Sequence, residues 1–519
     1  MTPTCGDLIK RGRMLYGERT ALVFEDRTFT FAEQAARMFR LANALSAAGI
    51  GRQERVAILA RNCSEYIEVF GACEVAGFVA INLNSRLAAA ELGAICQDSQ
   101  PAVLIHAAEF AATAHAIAAQ VPGIRLRIAI GGDDGDVPHY EHFIGEASAE
   151  PPQAAPAPDD VAYLMYTSGT TGGAKGVMIS HAAMAEAARM LSHEGGIAAS
   201  DRALIVMPLF HLGGKIEQMG FSLMGAPVFL KTAFDPDDIL ATIAREKITA
   251  AHFAPLMIQR MLDVLDSKPY DVSSLRCVHY ASAPMPVPLL RRALARMGPV
   301  FVQVYGMTEC VLGTILKAHC HLVDGSETER RRLASAGQPP LGNEVRIVAS
   351  DGSTCAVGEI GEIAFRSPTT MKGYWNKSVL SAEILRDGWL HTQDLGYVDD
   401  NNFVYVVDRK KDMIISGGEN IYSWEVEEAL RAHPEVAEVA VIAVPDQVWG
   451  ESVKACVQMR EGSSVTEVEL IEHTRTLIAS YKKPRSIDFV EALPRLFNGK
   501  IDKKALRAPY WAGRDRQVS

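Results

Sequence analysis

Apolar residues recur at helical spacing from Phe31 to Ala48, in the run FAEQAARMFRLANALSAA, and the short continuous run Arg55-Val-Ala-Ile-Leu-Ala60 follows. The first pattern predicts an amphipathic helix and the second a buried strand. A second helix-like stretch, Ser64 to Val75, leads into the apolar run at Gly77–Ile81. Helix and strand patterns in alternation predict an α/β fold with a largely parallel sheet. Residues 151–160 (PPQAAPAPDD) are too rich in proline for a helix or central strand and read as a linker. The strand Val161-Ala-Tyr-Leu-Met-Tyr166 comes directly after it, and a second sheet region starts there.

From Asp351 to Val407 the pattern changes to short strands and turns, such as Gly358–Phe365, until the charged knot Asp408-Arg-Lys-Lys-Asp412 interrupts it. Beyond the knot the periods predict a helix over Trp424–Ala432, strands over Val436–Val444 and Val453–Met459, and a helix over Val465–Ile478. That α+β stretch is long enough for a small domain of its own.

Composition narrows the class without naming a function. The 519 residues suffice for two or more domains, and 48% hydrophobic with 22% charged residues is ordinary for a globular protein. A net charge of −10 gives no electrostatic reason to expect nucleic acid, although local basic pockets for phosphates remain open. The nine cysteines are scattered without Cys-x-x-Cys spacing, which suggests neither a zinc nor a redox motif and fits reduced thiols in a cytoplasm. His319-Cys320-His321 is the one local metal-like cluster, but adjacent ligands point apart in an extended chain. The N-terminus lacks an apolar signal region, and no run approaches the roughly 18 apolar residues of a membrane span. The expectation is a cytoplasmic protein with no transmembrane segment.

The chemistry concentrates in Tyr166-Thr-Ser-Gly-Thr-Thr-Gly-Gly-Ala-Lys-Gly-Val177. Its glycines allow close backbone approach, consecutive N–H groups can form an anion nest, and the hydroxyls and Lys175 add donors for phosphate. It is not a Walker loop, because Ala174 and Gly176 stand where that motif needs Gly and Ser or Thr.

This loop together with Tyr305-Gly-Met-Thr-Glu309 resembles the adenylate-forming superfamily, in particular its acyl-CoA synthetases. Gly388-Trp-Leu-His-Thr-Gln-Asp394, the run from Asp408 to Ile421, and Pro494-Arg-Leu-Phe-Asn-Gly-Lys500 match further family motifs in the expected order. The resemblance extends over nearly the whole chain. It implies a large N-terminal domain, 1–408, with parallel-rich sheets, the linker near 151–160 and a small β-barrel-like part about 351–407. It also implies a small mobile α+β C-terminal domain, 409–519, with a hinge near Lys411, where many relatives carry Asp.

Site roles follow from the resemblance. Thr167, Ser168, Gly169, Thr170, Thr171, Gly172 and Lys175 would hold the phosphates of ATP. Tyr305 would stack on adenine beside the turn that holds Ala283 and Pro284, with Gly306 and Met307 also at the nucleotide and Thr308 donating to the α-phosphate. Glu309, with Thr170, would hold Mg²⁺, whose hard charge prefers oxygen ligands. Asp394 would accept the ribose hydroxyls and Arg409 would offer its fork to ribose or phosphate. Lys500 would stabilise the charge that gathers as a carboxylate attacks the α-phosphorus. Relatives usually have Thr or Ser where Leu496 stands, which puts one minor contact in doubt.

For coenzyme A, Gly417 and Gly418 would leave room for the pantetheine arm, while Trp449, Tyr481, Lys483 and Arg485 are candidates for its nucleotide. Partial burial of the aromatics and solvation of the cations is the competing reading. The acid pocket maps to His211, Gly213 and Val304, with His211 resembling a gate and Val304 narrowing a wall where many relatives have Gly. A core role for His211 stays open. Lys215 reads as exposed or paired with Glu217. The implied catalytic residues are therefore Lys500, His211 and Glu309, and the implied partner is a small carboxylic acid. The expected activity is an ATP-dependent carboxylate–CoA ligase for an aromatic or medium-chain acid. Transfer to a carrier protein and a luciferase-like monooxygenase are the alternatives. Which acid is used and the oligomeric state, a homodimer among the choices, are not set by these residues.

Overall fold

Thr30 starts the helix Phe31–Ala47 with a capping box, in which its hydroxyl accepts the Glu33 N–H while Glu33 accepts the Thr30 N–H at 2.8 Å. Phe39, Leu41 and Leu45 on this helix are fully buried, as the period requires. The computed structural model describes residues 2–167, 174–417, 419–495 and 500–512. Compactness divides the chain into two units, residues 1–344 with 365–390, and residues 345–364 with 391 onward. The expected single cut after residue 408 is not how the chain divides. The strand Val404–Arg409 pairs antiparallel with Trp389–Val398, so residues on both sides of position 408 share one packed unit.

In the first unit, a seven-stranded sheet runs in the order Gly373–Tyr374, Lys175–Ser180, Val161–Thr167, Val79–Asn82, Arg55–Leu59, Val103–Ala107, Leu126–Ile130. An eight-stranded sheet runs Cys310–Leu316, Phe301–Met307, Cys277–Tyr280, Ala250–Phe253, Ala203–Ile205, Val228–Leu230, Thr20–Phe24, Arg27–Thr30. Both are parallel through their middles, with antiparallel pairs at the margins. The helix Ser64–Ala76 is buried at every position, which explains its weak amphipathic period. Its three acidic residues are each paired: Glu65 with Arg27 at 2.8 Å, Glu68 with Arg37 at 2.7 Å and Glu74 with Lys215 at 2.7 Å. Burial of an ionised carboxylate is tolerable only with such partners. Residues 151–160 form neither helix nor strand, and Val161–Thr167 after them pairs parallel with Val79–Asn82, so it extends the same sheet rather than starting a second one.

In the second unit, the long hairpin Val436–Asp446 and Gly450–Met459 is flanked by Ile414–Ser416 and by Ser486–Phe489. Alternate residues serve opposite faces. Val439, Val441 and Ala443 pack with Val426 and Leu430 of the helix Ser423–Arg431, whereas Ala440, Ile442 and Val444 pack toward Leu493, Leu506 and Tyr510. The helix Glu467–Leu477 starts at Thr466 with a further capping box. Among the described residues, no helix is long and apolar enough to cross a membrane. His321 uses both ring nitrogens within the fold, at 3.0 Å from the Tyr280 hydroxyl and 3.0 Å from the Lys317 carbonyl, which removes it as a metal ligand.

Candidate active site

Several sequence-derived positions stand at the carboxyl ends of sheet strands, where open α/β sheets place ligands. Val161–Thr167 and Lys175–Ser180 form a hairpin with Thr167 opposite Lys175. Ser168, Gly169, Thr170, Thr171 and Gly172 lie outside the described residues. The Lys175 ammonium sits 5.2 Å from the centre of the Tyr374 ring, and the Tyr374 hydroxyl donates to Glu309 Oε1 at 2.7 Å. Burial, then the Glu309 carboxylate, pushes the Tyr374 hydroxyl far up, so it stays a donor. Tyr374 thus joins the base of the glycine loop to the acidic hairpin, a role that sequence reasoning missed. Its one signal was an aromatic after Gly373, and the pairing of that dipeptide with Lys175–Ser180 is a tertiary fact.

Thr308 and Glu309 form the two-residue connection between Phe301–Met307 and Cys310–Leu316, and Glu309 is buried. A bulge between Tyr305 and Met307 explains Gly306, since a Cβ there would stand 2.9 Å from the Val311 carbonyl. Tyr305 packs against Phe365 with ring centres 6.0 Å apart. After Cys277–Tyr280, Ser282 adopts φ +75°, a left-handed conformation costly for a residue with a Cβ, and it re-aims the chain into Ala283 and exposed Pro284.

His211 stands at the N-cap of the helix Leu212–Leu223, its ring 4.8 Å from that of Phe210. A Cβ on Gly213 would lie 3.3 Å from His252, and Val304 is half-buried opposite Ile315. The reading of Lys215 is corrected. It is 2% exposed, is bound to Glu74 and donates to Gln218 at 2.9 Å, while Glu217 faces the other way. Glu217 instead accepts from His279 at 2.8 Å, with His252 at 3.5 Å. Despite burial, the Glu217 carboxylate holds His279 well above the usual histidine range. His252 and His279 are register partners on neighbouring parallel strands, so this buried charge group is set by strand order.

In the second unit, Asp394 lies opposite Arg409 across an antiparallel pair, with Arg409 Nε 3.3 Å from Asp394 Oδ1. Gln393, just before it, takes φ +63°. Lys500 is in the same charged setting. Burial and Arg409 pull its ammonium down to about 8, with Asp394 opposing and Lys411 adding to the fall. Lys411 is itself lowered by burial, with Asp412 opposing and Arg409 and Arg507 contributing. The position expected to be a hinge lies within this unit rather than at its margin.

Gly417 meets Trp449 directly. Its N–H donates to the Trp449 carbonyl at 2.9 Å, its φ is +62°, and a Cβ would fall 2.5 Å from the indole. The Arg485 guanidinium covers the same indole at 4.7 Å. Tyr481 is half exposed, but its neighbouring cation is Lys482, at 5.7 Å from the ring and bound to Glu425, while Lys483 is partly buried. Gly418, Leu496 and Gly499 lie outside the described residues.

A profile of the AMP-binding enzyme family matches residues 11–375, and one of the AMP-binding enzyme C-terminal domain matches residues 425–500. A feruloyl-CoA synthase of Amycolatopsis sp is 40% identical over 500 residues, covering 96% of this chain and 97% of its own. An indoleacetate–CoA ligase of Aromatoleum aromaticum is 35% identical over 494 residues, 94% of each chain. The structure of the amide bond synthetase McbA from Marinactinospora thermotolerans superposes with a TM-score of 0.89 at 30% identity, covering 98% of this chain and 99% of that one. The chain therefore belongs to the AMP-binding enzyme family, as an adenylate-forming acid–thiol ligase of the acyl-CoA synthetase type.

Proposed function

We propose that this ligase activates an aromatic carboxylic acid and transfers it to coenzyme A. In the first half-reaction, a carboxylate oxygen attacks the α-phosphorus of ATP and the bond to pyrophosphate breaks, giving an acyl-adenylate. In the second, the thiol sulfur attacks the acyl carbonyl, its proton passes to solvent, and AMP leaves. Lys175 and the glycine loop hold phosphate oxygens, with Tyr374 orienting Glu309. Asp394 takes the ribose hydroxyls. Lys500, assisted by Arg409, meets the charge that develops in the first transfer. A single buried carboxylate at Glu309 suits Mg²⁺, which keeps most of its ligands from phosphate and water, and Thr170 would be the second protein oxygen. That ion would neutralise phosphate charge.

The observation that carries this reading is the pairing of Asp394 with Arg409, Nε 3.3 Å from Oδ1, with the half-buried Lys500 in the same charged setting. The aromatic assignment draws on the feruloyl-CoA synthase and indoleacetate–CoA ligase among the relatives. Coenzyme A as acceptor draws on Trp449 beneath Arg485, a platform for a nucleotide. Cytoplasmic location goes with this chemistry, and so does alternation of the C-terminal segment about Lys411 between the half-reactions. The test is pyrophosphate release across cinnamic, arylacetic, benzoic and fatty acids, repeated with coenzyme A, a carrier protein and simple amines. A thioester formed from an aryl acid supports the proposal. Preference for a fatty acid, or for an amine or carrier acceptor, overturns the corresponding half of it.

A further inference from the structure

Lys500 is followed directly by a short helix, Lys503–Arg507, capped by Asp502, which accepts the Ala505 N–H at 3.0 Å. The Asp502 N–H in turn donates to the Pro494 carbonyl at 2.8 Å, and Arg495 bridges Ile501. The segment bearing Lys500 is therefore closed at its base and continues into this helix. Two side chains of the helix reach the charged run 408–412. Arg507 Nη1 meets Asp412 Oδ1 at 2.5 Å, both largely buried. Lys503 Nζ donates to Ser423 Oγ at 2.6 Å and pairs with Glu427 at 2.7 Å. The Ser423 N–H, at the start of the helix Ser423–Arg431, donates to Asp408 Oδ2 at 2.6 Å, while the Arg409 N–H donates to Asp408 Oδ1 at 2.7 Å.

Asp408 and Asp412 thus bracket Arg409 and Lys411, and each is held from the helix that follows Lys500, directly or through Ser423. In the sequence these aspartates stood only as the ends of a charged knot within a family motif, with no role of their own. A buried carboxylate cluster of this kind carries a desolvation penalty that only its partners offset. Its members also sit on either side of Lys411 in sequence, so its making and breaking accompanies any turn of the backbone there.

We propose that Asp408 and Asp412 are positioning residues. Through Ser423, Lys503 and Arg507 they lock the Lys500 segment in register with Asp394 and Arg409, and so favour adenylation over thioester formation. The inference rests on the assignment of Lys500 to the adenylation step. Burial pushes the Asp408 carboxyl up to about 6, with Lys503 and Ser423 opposing and Glu427 adding. Acidification through that range therefore weakens the lock.

The experiment measures each half-reaction by single turnover in the full chain, for Asp408→Asn, Asp412→Asn, Lys503→Met and Lys503→Arg. Adenylation should slow about 100-fold in the first three, the scale set by an ångström of misplacement. Thioester formation from supplied acyl-adenylate should hold or rise. Released from its setting, Lys500 should titrate closer to an ordinary lysine, so the alkaline limb of adenylation moves up from about 8. Lys503→Arg keeps the charge and should restore most of the rate. Equal loss in both half-reactions with an unmoved alkaline limb, tracking only a fall in Tm, overturns the proposal and leaves the cluster a fold element. Lys500→Ala is the control: full adenylation in that variant would sink the underlying assignment instead.

Discussion

At the scale of single residues, burial decides what each charge can do. Lys500 is titratable near neutrality because burial and two neighbouring cations disfavour its ammonium. Only the protonated form can stabilise phosphoryl charge, so adenylation should be level from above the Asp408 range near 6 up to about 8 and fall as pH rises through about 8. Lys500→Ala should lose about 100- to 1,000-fold in acyl-adenylate formation, measured as pyrophosphate release. Lys500→Arg, charged at all working pH, should flatten the alkaline limb whatever its rate. Lys215 shows the opposite case, a buried cation used for structure. Lys215→Met would leave the buried Glu74 carboxylate without its cation, held only by the donating Tyr163 hydroxyl, and should cost about 3–5 kcal/mol in chemical denaturation. A loss under 1 kcal/mol would mean that Glu74 finds another partner. Val304→Gly should admit bulkier acids, with one or two methylenes worth about 1–3 kcal/mol of discrimination across a homologous series. An unchanged profile would take Val304 off the pocket wall.

Among elements, hairpins and strand ends do the positioning. The ladder between Val436–Asp446 and Gly450–Met459 runs further than the apolar pattern suggested, because Pro445 and Asp446 still pair with Glu451 and Gly450. That extension carries Trp449 onto Gly417, where no side chain fits. Gly417→Ala should therefore lower stability by about 1–3 kcal/mol through its positive φ alone. It should also raise the KM for coenzyme A while leaving pyrophosphate release from acid and ATP nearly unchanged. Equal effects on ATP and coenzyme A would remove this glycine from the acceptor path. The motif bearing Thr308 and Glu309 was legible in the sequence, but the hairpin that presents it comes from the antiparallel pairing of Phe301–Met307 with Cys310–Leu316. Its link to Tyr374 was not legible, because Gly373–Tyr374 is too short a strand to leave a period.

For the whole molecule, the open question is how one chain serves two reactions. Lys411 lies between Asp408 and Asp412, the two carboxylates tied to the helix after Lys500. Lys411→Pro restricts φ there and removes a backbone donor, so it should spare adenylation more than thioester formation. Single-turnover rates of both steps check this, and equal slowing would argue against alternation about Lys411.

The sequence by itself determined the family and the local chemistry. The glycine loop, the Tyr305–Glu309 turn and the segment ending at Lys500 are built from chain neighbours, so their spacing is written in order. Alternating helix and strand periods likewise fixed an α/β class before any contact was known. Only the tertiary structure decided which charges meet. Glu217 is two residues from Lys215, yet on a helix that offset points them to different faces, and Lys215 finds Glu74 while Glu217 finds His279. Tyr374 reaches Glu309, Ser423 reaches Asp408 and Lys503 reaches Ser423 only because strand order and helix packing bring distant segments together. The reason is physical: an ion pair draws its strength from burial, and burial is a property of the packed core that no linear spacing records.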